Sequence, residues 1–256
     1  VNRGFPDIHG CGLATASQCS ASYSGMCYND GMTILNMKAV GGLLILFLVM
    51  AAVLFALAGT LDYWQGWTFL SIYFAASLAI TLYLMKKDPE LLRRRMRGGP
   101  TAEKETVQKI IMSFTSLGFI GLLVIPALDH RLAWSQMPPF AVLAGDVLVV
   151  LGWLAIFFVF RENTFSSATI ELAPDQTVIS TGPYAVVRHP MYAGALVMLL
   201  GMPIALGSKW GVLVVVAMTP VLIWRLLDEE KFLARNLPGY VEYQSSVRYR
   251  LVPGMW

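Results

Sequence analysis

Six long apolar blocks dominate this chain, and they restrict it to a small set of folds. They run from about Met37 to Leu57, Trp67 to Met85, Ile110 to Leu128, Phe140 to Phe160, Met191 to Leu206 and Trp210 to Leu227. A helix rises about 1.5 Å per residue, so about 20 apolar residues cross a hydrocarbon layer about 30 Å thick. Only helices and closed barrels satisfy every backbone polar group in such a layer, and runs of this length predict helices. The expected fold is all-α: a polytopic membrane protein with five to six transmembrane helices. Blocks one to four meet the spanning length. The fifth is short and contains Pro203, and only Gly207, Ser208 and Lys209 separate it from the sixth. The last two blocks therefore predict a tight C-terminal helical hairpin.

Composition points the same way. Of 256 residues, 56% are hydrophobic and 14% charged, against about 25% charged in a soluble domain. Disorder, collagen-like repeats and a disulfide-dense scaffold are excluded. The net charge of +3 is small, and the basic residues stand beside apolar blocks, so no nucleic acid partner is expected. Cys11, Cys19 and Cys27 lie eight apart. That spacing fits no zinc pattern, and an odd number closes no disulfide set; no metal site is expected. Residues 1–31 lack a periodic apolar face and the basic-then-apolar order of a signal peptide. They read as a disordered or non-native N-terminal tail, followed by transmembrane helices over 32–162 and a C-terminal region over 163–256 that carries the chemistry.

Positive charge predicts the orientation. The stretch from Lys86 to Lys109 holds eight Lys or Arg, whereas the opposite side has only Arg131 and Lys209. Lys38, Arg161, Arg188, Arg225 and the basic C-terminal tail share the rich side, so both termini are expected in the cytoplasm. Tyr63, Trp64, Trp67, Trp134 and Trp210 fall at the other face, as interfacial aromatics do. Within the basic stretch, Glu90 and Arg94 are four apart and read as a helix-surface pair.

Two polar stretches on the rich side hold the chemically capable side chains. In the first, Gly182-Pro183 signals a turn, and His189-Pro190 presents a histidine on a bend at the entrance to the fifth block. Tyr184 and Tyr192 flank it. The bland reading is a set of interfacial anchors among headgroups. The second stretch is Arg225 to Glu230 at the end of the sixth block. Arg225 and Glu229, four apart, share a helix face, and the simplest reading is a plain ion pair. The hairpin, however, returns this helix end to the face where His189 begins the fifth helix. Charges at a membrane edge that face a cavity are functional candidates. Glu162 and Asn163, leaving the fourth block on the same face, are candidates for an acceptor entrance or for a helix cap.

The combination Ser-Thr-Gly-Pro-Tyr-x-x-x-Arg-His-Pro-x-Tyr-x-Gly over 180–194, then Glu229-Glu230, Tyr240, Tyr243 and Val247 to Pro253, resembles the integral-membrane methyltransferases related to isoprenylcysteine carboxyl methyltransferase and phospholipid methyltransferase. The resemblance covers roughly Arg161 to the C-terminus. It implies S-adenosyl-L-methionine as methyl donor in a cytoplasmic cofactor pocket with a lipid-side opening. Position by position, it implies that Gln176, Thr177, Val178 and Ile179 lie along the cofactor. Gln176 stands where the eukaryotic carboxyl methyltransferases have histidine. Tyr184, His189, Pro190, Met191 and Tyr192 would complete the cofactor's surroundings. Glu229 would face its amino group, and Arg225 an anionic acceptor. No residue is assigned a catalytic acid or base role. The implied acceptor is lipophilic or prenylated, including the carboxylate of an isoprenylcysteine-like substrate; carboxylate, amine and thiol acceptors all stay open. The alternative is an NADPH-dependent membrane reductase of the sterol-reductase type, which shares the Arg-His-Pro-x-Tyr turn.

Overall fold

The computed structural model describes residues 16–173 and 175–256, with side chains from residue 32 onward. Among them the chain is all helical, without a strand: α1 (Ala16–Ala58), α2 (Trp64–Lys87), α3 (Pro89–Met96), α4 (Thr106–Leu132), α5 (Pro139–Glu162), α6 (Pro190–Ala205), α7 (Trp210–Asn236) and α8 (Tyr240–Ser246), with a 3-10 turn at Gly182–Ala185. Each apolar block forms a helix. Among the described residues, five segments are long and apolar enough to cross a membrane: Met32–Ala58, α2, α4, α5 and α7. Helix α6 has 16 residues, about 24 Å at the usual rise, and falls short of a full crossing. The stretch set apart as a tail begins with residues 1–15, outside the described residues; α1 starts at Ala16.

Small residues set how closely the helices approach. Gly145 and Gly152 on α5 face Gly194 and Gly201 on α6, seven apart on each helix. A Cβ at Gly152 would stand 2.7 Å from the Gly194 carbonyl oxygen, and one at Gly201 would stand 2.7 Å from the Gly145 oxygen. Backbone therefore lies on backbone along this seam, as small-residue stripes allow between helices in lipid. The contact fixes where α6 begins, and so where His189 stands.

At the hairpin end, α6 turns into α7 through Leu206–Lys209, with Gly207 at a φ of +76°. The buried carboxylate of Asp129, near the end of α4, clamps this turn. It accepts from the Ser208 hydroxyl at 2.5 Å, the Ser135 hydroxyl at 2.7 Å and the Ser135 amide at 2.7 Å. Trp64, Trp67, Trp134 and Trp210 are exposed here, as the interfacial reading requires. Tyr63 is different: it is buried, donates to the Leu206 carbonyl at 2.6 Å and stacks on His130. Its hydroxyl serves the hairpin instead of a headgroup.

At the opposite end, Asp88 caps α3 by accepting from the Leu91 amide at 2.9 Å, with Pro89 in the first turn. The expected Glu90–Arg94 pair does not form. Glu90 pairs with Arg93 at 2.6 Å, and Arg94 instead donates to the Thr164 carbonyl at 2.6 Å. Such bonds tie the basic stretch to the segment after α5, and the two form a roof over the ends of α6 and α7. Within α5, both carboxylate oxygens of Asp146 are buried without a partner among the described residues.

Candidate functional site

Helix α7 continues past its apolar block to Asn236, which keeps Arg225, Asp228, Glu229 and Glu230 helical and spreads them over different faces. Glu230 turns to the protein. Its carboxylate accepts from Arg188 Nε at 2.7 Å and Arg250 Nε at 2.8 Å, and His189 Nε2 stands 3.3 Å away. Arg188 also donates from Nη1 to the Val247 and Arg248 carbonyls at 2.8 and 2.9 Å. The Arg188 and His189 amides donate to the Tyr249 and Arg250 carbonyls, each at 2.9 Å. Thus the Arg-His-Pro turn and the tail are knotted around the buried second acid of the Glu-Glu pair.

Glu229 turns to a cavity of about 320 Å³. The eleven residues that the family resemblance assigns to cofactor or acceptor all line it: Gln176, Thr177, Val178, Ile179, Tyr184, His189, Pro190, Met191, Tyr192, Arg225 and Glu229. They come from three separate stretches, brought together by the α5–α6 seam and the hairpin. Glu229 accepts from the Tyr192 hydroxyl at 2.6 Å. Asn163 is in the wall too, donating to the Tyr184 hydroxyl at 2.8 Å; burial pushes that phenol up to about 12. Glu162 accepts from Thr181 instead and braces the turn at Gly182. The Tyr240 hydroxyl is buried at the cavity without a partner among the described residues, and burial also raises its pKa.

Arg225 does not pair with Glu229. Its Nη2 donates to Glu103 at 2.7 Å and to the Ala168 carbonyl at 3.0 Å, and its Nη1 donates to Gln108 at 2.8 Å. Glu103, in the basic stretch, is buried and also receives the Ile170 amide at 3.4 Å. Gln108 in turn donates to Asp228. Sequence reasoning missed Glu103, Gln108 and Arg95, because the basic stretch reads as a solvated face until its fold over α7 is seen. Among the described residues no three or more His, Cys, Asp or Glu gather as a metal site.

Two comparisons bear on this site. Over 101 residues the chain is 28% identical to the cobalt-zinc-cadmium resistance protein CzcN of Cupriavidus metallidurans, an alignment covering 39% of this chain and 46% of that protein. The chain thus spans less than half the length of this curated relative. The family model described as phospholipid methyltransferase matches residues 140–238. That match starts earlier than the resemblance read from the motifs, taking in α5, and stops before Tyr240 and the tail. The helices α5, α6 and α7, which hold Glu229 and the Arg-His-Pro turn, therefore carry the pattern of the phospholipid methyltransferase family, integral-membrane methyltransferases related to the isoprenylcysteine carboxyl methyltransferases.

Proposed function

We propose that this protein is an S-adenosyl-L-methionine-dependent methyltransferase acting on a lipophilic or amphipathic acceptor at the membrane. One observation carries the reading: a cavity built largely from the family-matching segment presents a carboxylate, Glu229, that no protein cation pairs with among the described residues. The site fits the cofactor. Its volume of about 320 Å³ lies in the range of small-molecule pockets, about 300–1,000 Å³. The orphaned Tyr240 hydroxyl is a buried polar group in want of a ligand partner.

When bound, the cofactor supplies an electrophilic methyl group on a sulfonium. The chain's own residues bind and orient. Gln176 to Ile179 form one wall, with the Gln176 side chain accepting from the Ala173 amide at 3.0 Å to hold its own loop. Tyr184, His189, Pro190, Met191 and Tyr192 also line the cavity. The bond from Tyr192 orients Glu229 toward an ammonium, a matching counter-charge in a partly dry site. Positioning of this kind is the main demand of an in-line displacement, and a carboxylate acceptor needs no general base.

Met112 and Thr115 from α4 and Leu222 from α7 carry the cavity into the span-length helices, which supports an acceptor arriving from the lipid side. Arg225 stands there, and an anionic acceptor group would meet a guanidinium already held in plane by Glu103 and Gln108. The family match supports this reading and not the reductase. Equilibrium binding of labelled S-adenosylmethionine to the purified chain in lipid nanodiscs tests it, with NADPH as competitor. Saturable binding that NADPH leaves untouched is expected. Saturable NADPH binding without S-adenosylmethionine binding overturns the proposal.

A further inference from the structure

Among the described residues, six Lys, Arg, His, Asp or Glu side chains line the cavity: Arg95, Glu171, Arg188, His189, Arg225 and Glu229. Four have an acidic or basic partner in the protein. Arg188 and His189 meet Glu230 at 2.7 and 3.3 Å, Arg225 meets Glu103 at 2.7 Å, and Glu171 meets Lys104 at 3.4 Å. Two remain, of opposite sign. Among the described residues neither Arg95 nor Glu229 has an ion-pair partner.

These two charges flank the first turn of α6. Arg95 Nη1 donates to the Ser167 carbonyl at 2.9 Å and touches Met191 Sδ at 3.6 Å, with its guanidinium over the Phe160 ring. Glu229 accepts from Tyr192, the next residue along, and the Tyr184 phenol lies in the field of both charges. Burial lowers Arg95 to about 10, so it stays cationic at neutral pH. A half-buried cation without a counter-ion is costly unless a ligand supplies one. A planar guanidinium suits a carboxylate, which it can grip with two parallel bonds.

We propose that Arg95 and Glu229 together form a clamp for a zwitterionic α-amino-acid group, Arg95 taking the carboxylate and Glu229 the ammonium, and that this group is the methionine part of the methyl donor. The inference rests on the methyltransferase reading. It adds a binding residue from α3, outside the family-matching residues 140–238.

Decarboxylated S-adenosylmethionine keeps the ammonium and the sulfonium but lacks the carboxylate, so it isolates the Arg95 arm. Affinities of both ligands are measured by equilibrium binding to the full chain in nanodiscs, for the wild type, Arg95→Gln and Arg95→Lys. The wild type should bind S-adenosylmethionine about ten- to a hundredfold more tightly than the decarboxylated ligand, as a charge-assisted pair implies. Arg95→Gln should erase that preference by weakening the intact cofactor alone, and Arg95→Lys should keep part of it. Binding of the decarboxylated ligand also reports whether each variant is folded. If Arg95→Gln fails to fold, the wild-type preference and Arg95→Lys still decide. Equal wild-type affinities overturn the clamp, as does a preference that survives in Arg95→Gln, which would leave Arg95 for an anion on the acceptor. A wild type that binds neither ligand overturns the methyltransferase reading, and the clamp falls with it.

Discussion

Two neighbouring acids on α7 have divergent surroundings. Among the described residues, Glu230 is shared by Arg188, His189 and Arg250, while Glu229 keeps only Tyr192. Neutralising the free one should therefore affect ligand binding more than folding. Glu229→Gln preserves size, and it is expected to weaken S-adenosylmethionine about ten- to a hundredfold, the worth of one charge-assisted bond. Unchanged affinity in a correctly inserted variant would remove Glu229 from the cofactor site. Arg225 sets the opposite problem, because its charge is already satisfied. Removing it strands the Glu103 side chain, which is 2% exposed, and breaking a buried pair costs about 3–5 kcal/mol. Arg225→Ala should thus unfold far more readily in a denaturant titration. Arg225→Lys keeps the charge but loses the planar fork; it should bind the cofactor nearly normally and raise the acceptor KM. Normal acceptor kinetics in that variant would leave Arg225 as structural support alone.

The α5–α6 seam is the element on which the site depends, since it sets the height of the Arg-His-Pro turn. A methyl group at Gly152 would lie 2.5 Å from Met198 Cβ, a contact relieved only by moving α6. Gly152→Ala is expected to cost about 1–3 kcal/mol, as overpacking does, and to weaken cofactor binding by displacing His189 to Tyr192. Gly42→Ala is the control, because a Cβ there meets nothing within 4 Å. Unfolding in detergent and cofactor affinity should both separate the two variants. The Asp129 clamp holds the other end of the same hairpin. Asp129→Ala should cost about 1.5–3 kcal/mol, as loss of hydrogen bonds to a charged group does, yet leave cofactor affinity intact because the site is at the far end of α6 and α7. A cofactor-binding defect as large as the stability defect would show that the hairpin turn and the site are coupled.

For the molecule as a whole, the basic stretch, the turn before α6 and the tail meet at one end of the bundle, joined by the bonds of Arg94, Arg95, Arg188 and Arg225. We propose that this end is cytoplasmic, on the asymmetry of eight Lys or Arg in the stretch from Lys86 to Lys109 against Arg131 and Lys209 opposite. A C-terminal reporter active only outside the cytoplasm should stay silent. A positive signal would reverse the orientation and put the cavity on the other side of the membrane.

Helices were legible in the sequence because hydropathy is local: each block states its own length, and lipid leaves the backbone little choice but to close its bonds within the block. The hairpin was legible for the same reason, since three residues between two blocks allow no other path. The Arg-His-Pro turn and the Glu-Glu pair were readable as motifs, and the cavity gathers the eleven residues assigned to cofactor and acceptor, while Glu230 turns into the protein. Partner choice was not readable. Arg225 and Glu229 stand one turn apart, and sequence spacing alone would pair them. Glu103 reaches Arg225 from 122 residues away, because the basic stretch folds over the end of α7. A buried guanidinium takes the carboxylate that the fold brings to hydrogen-bonding distance, whatever its place in the chain. That exchange frees Glu229, and among the described residues Arg95 is left as the cavity's other uncompensated charge.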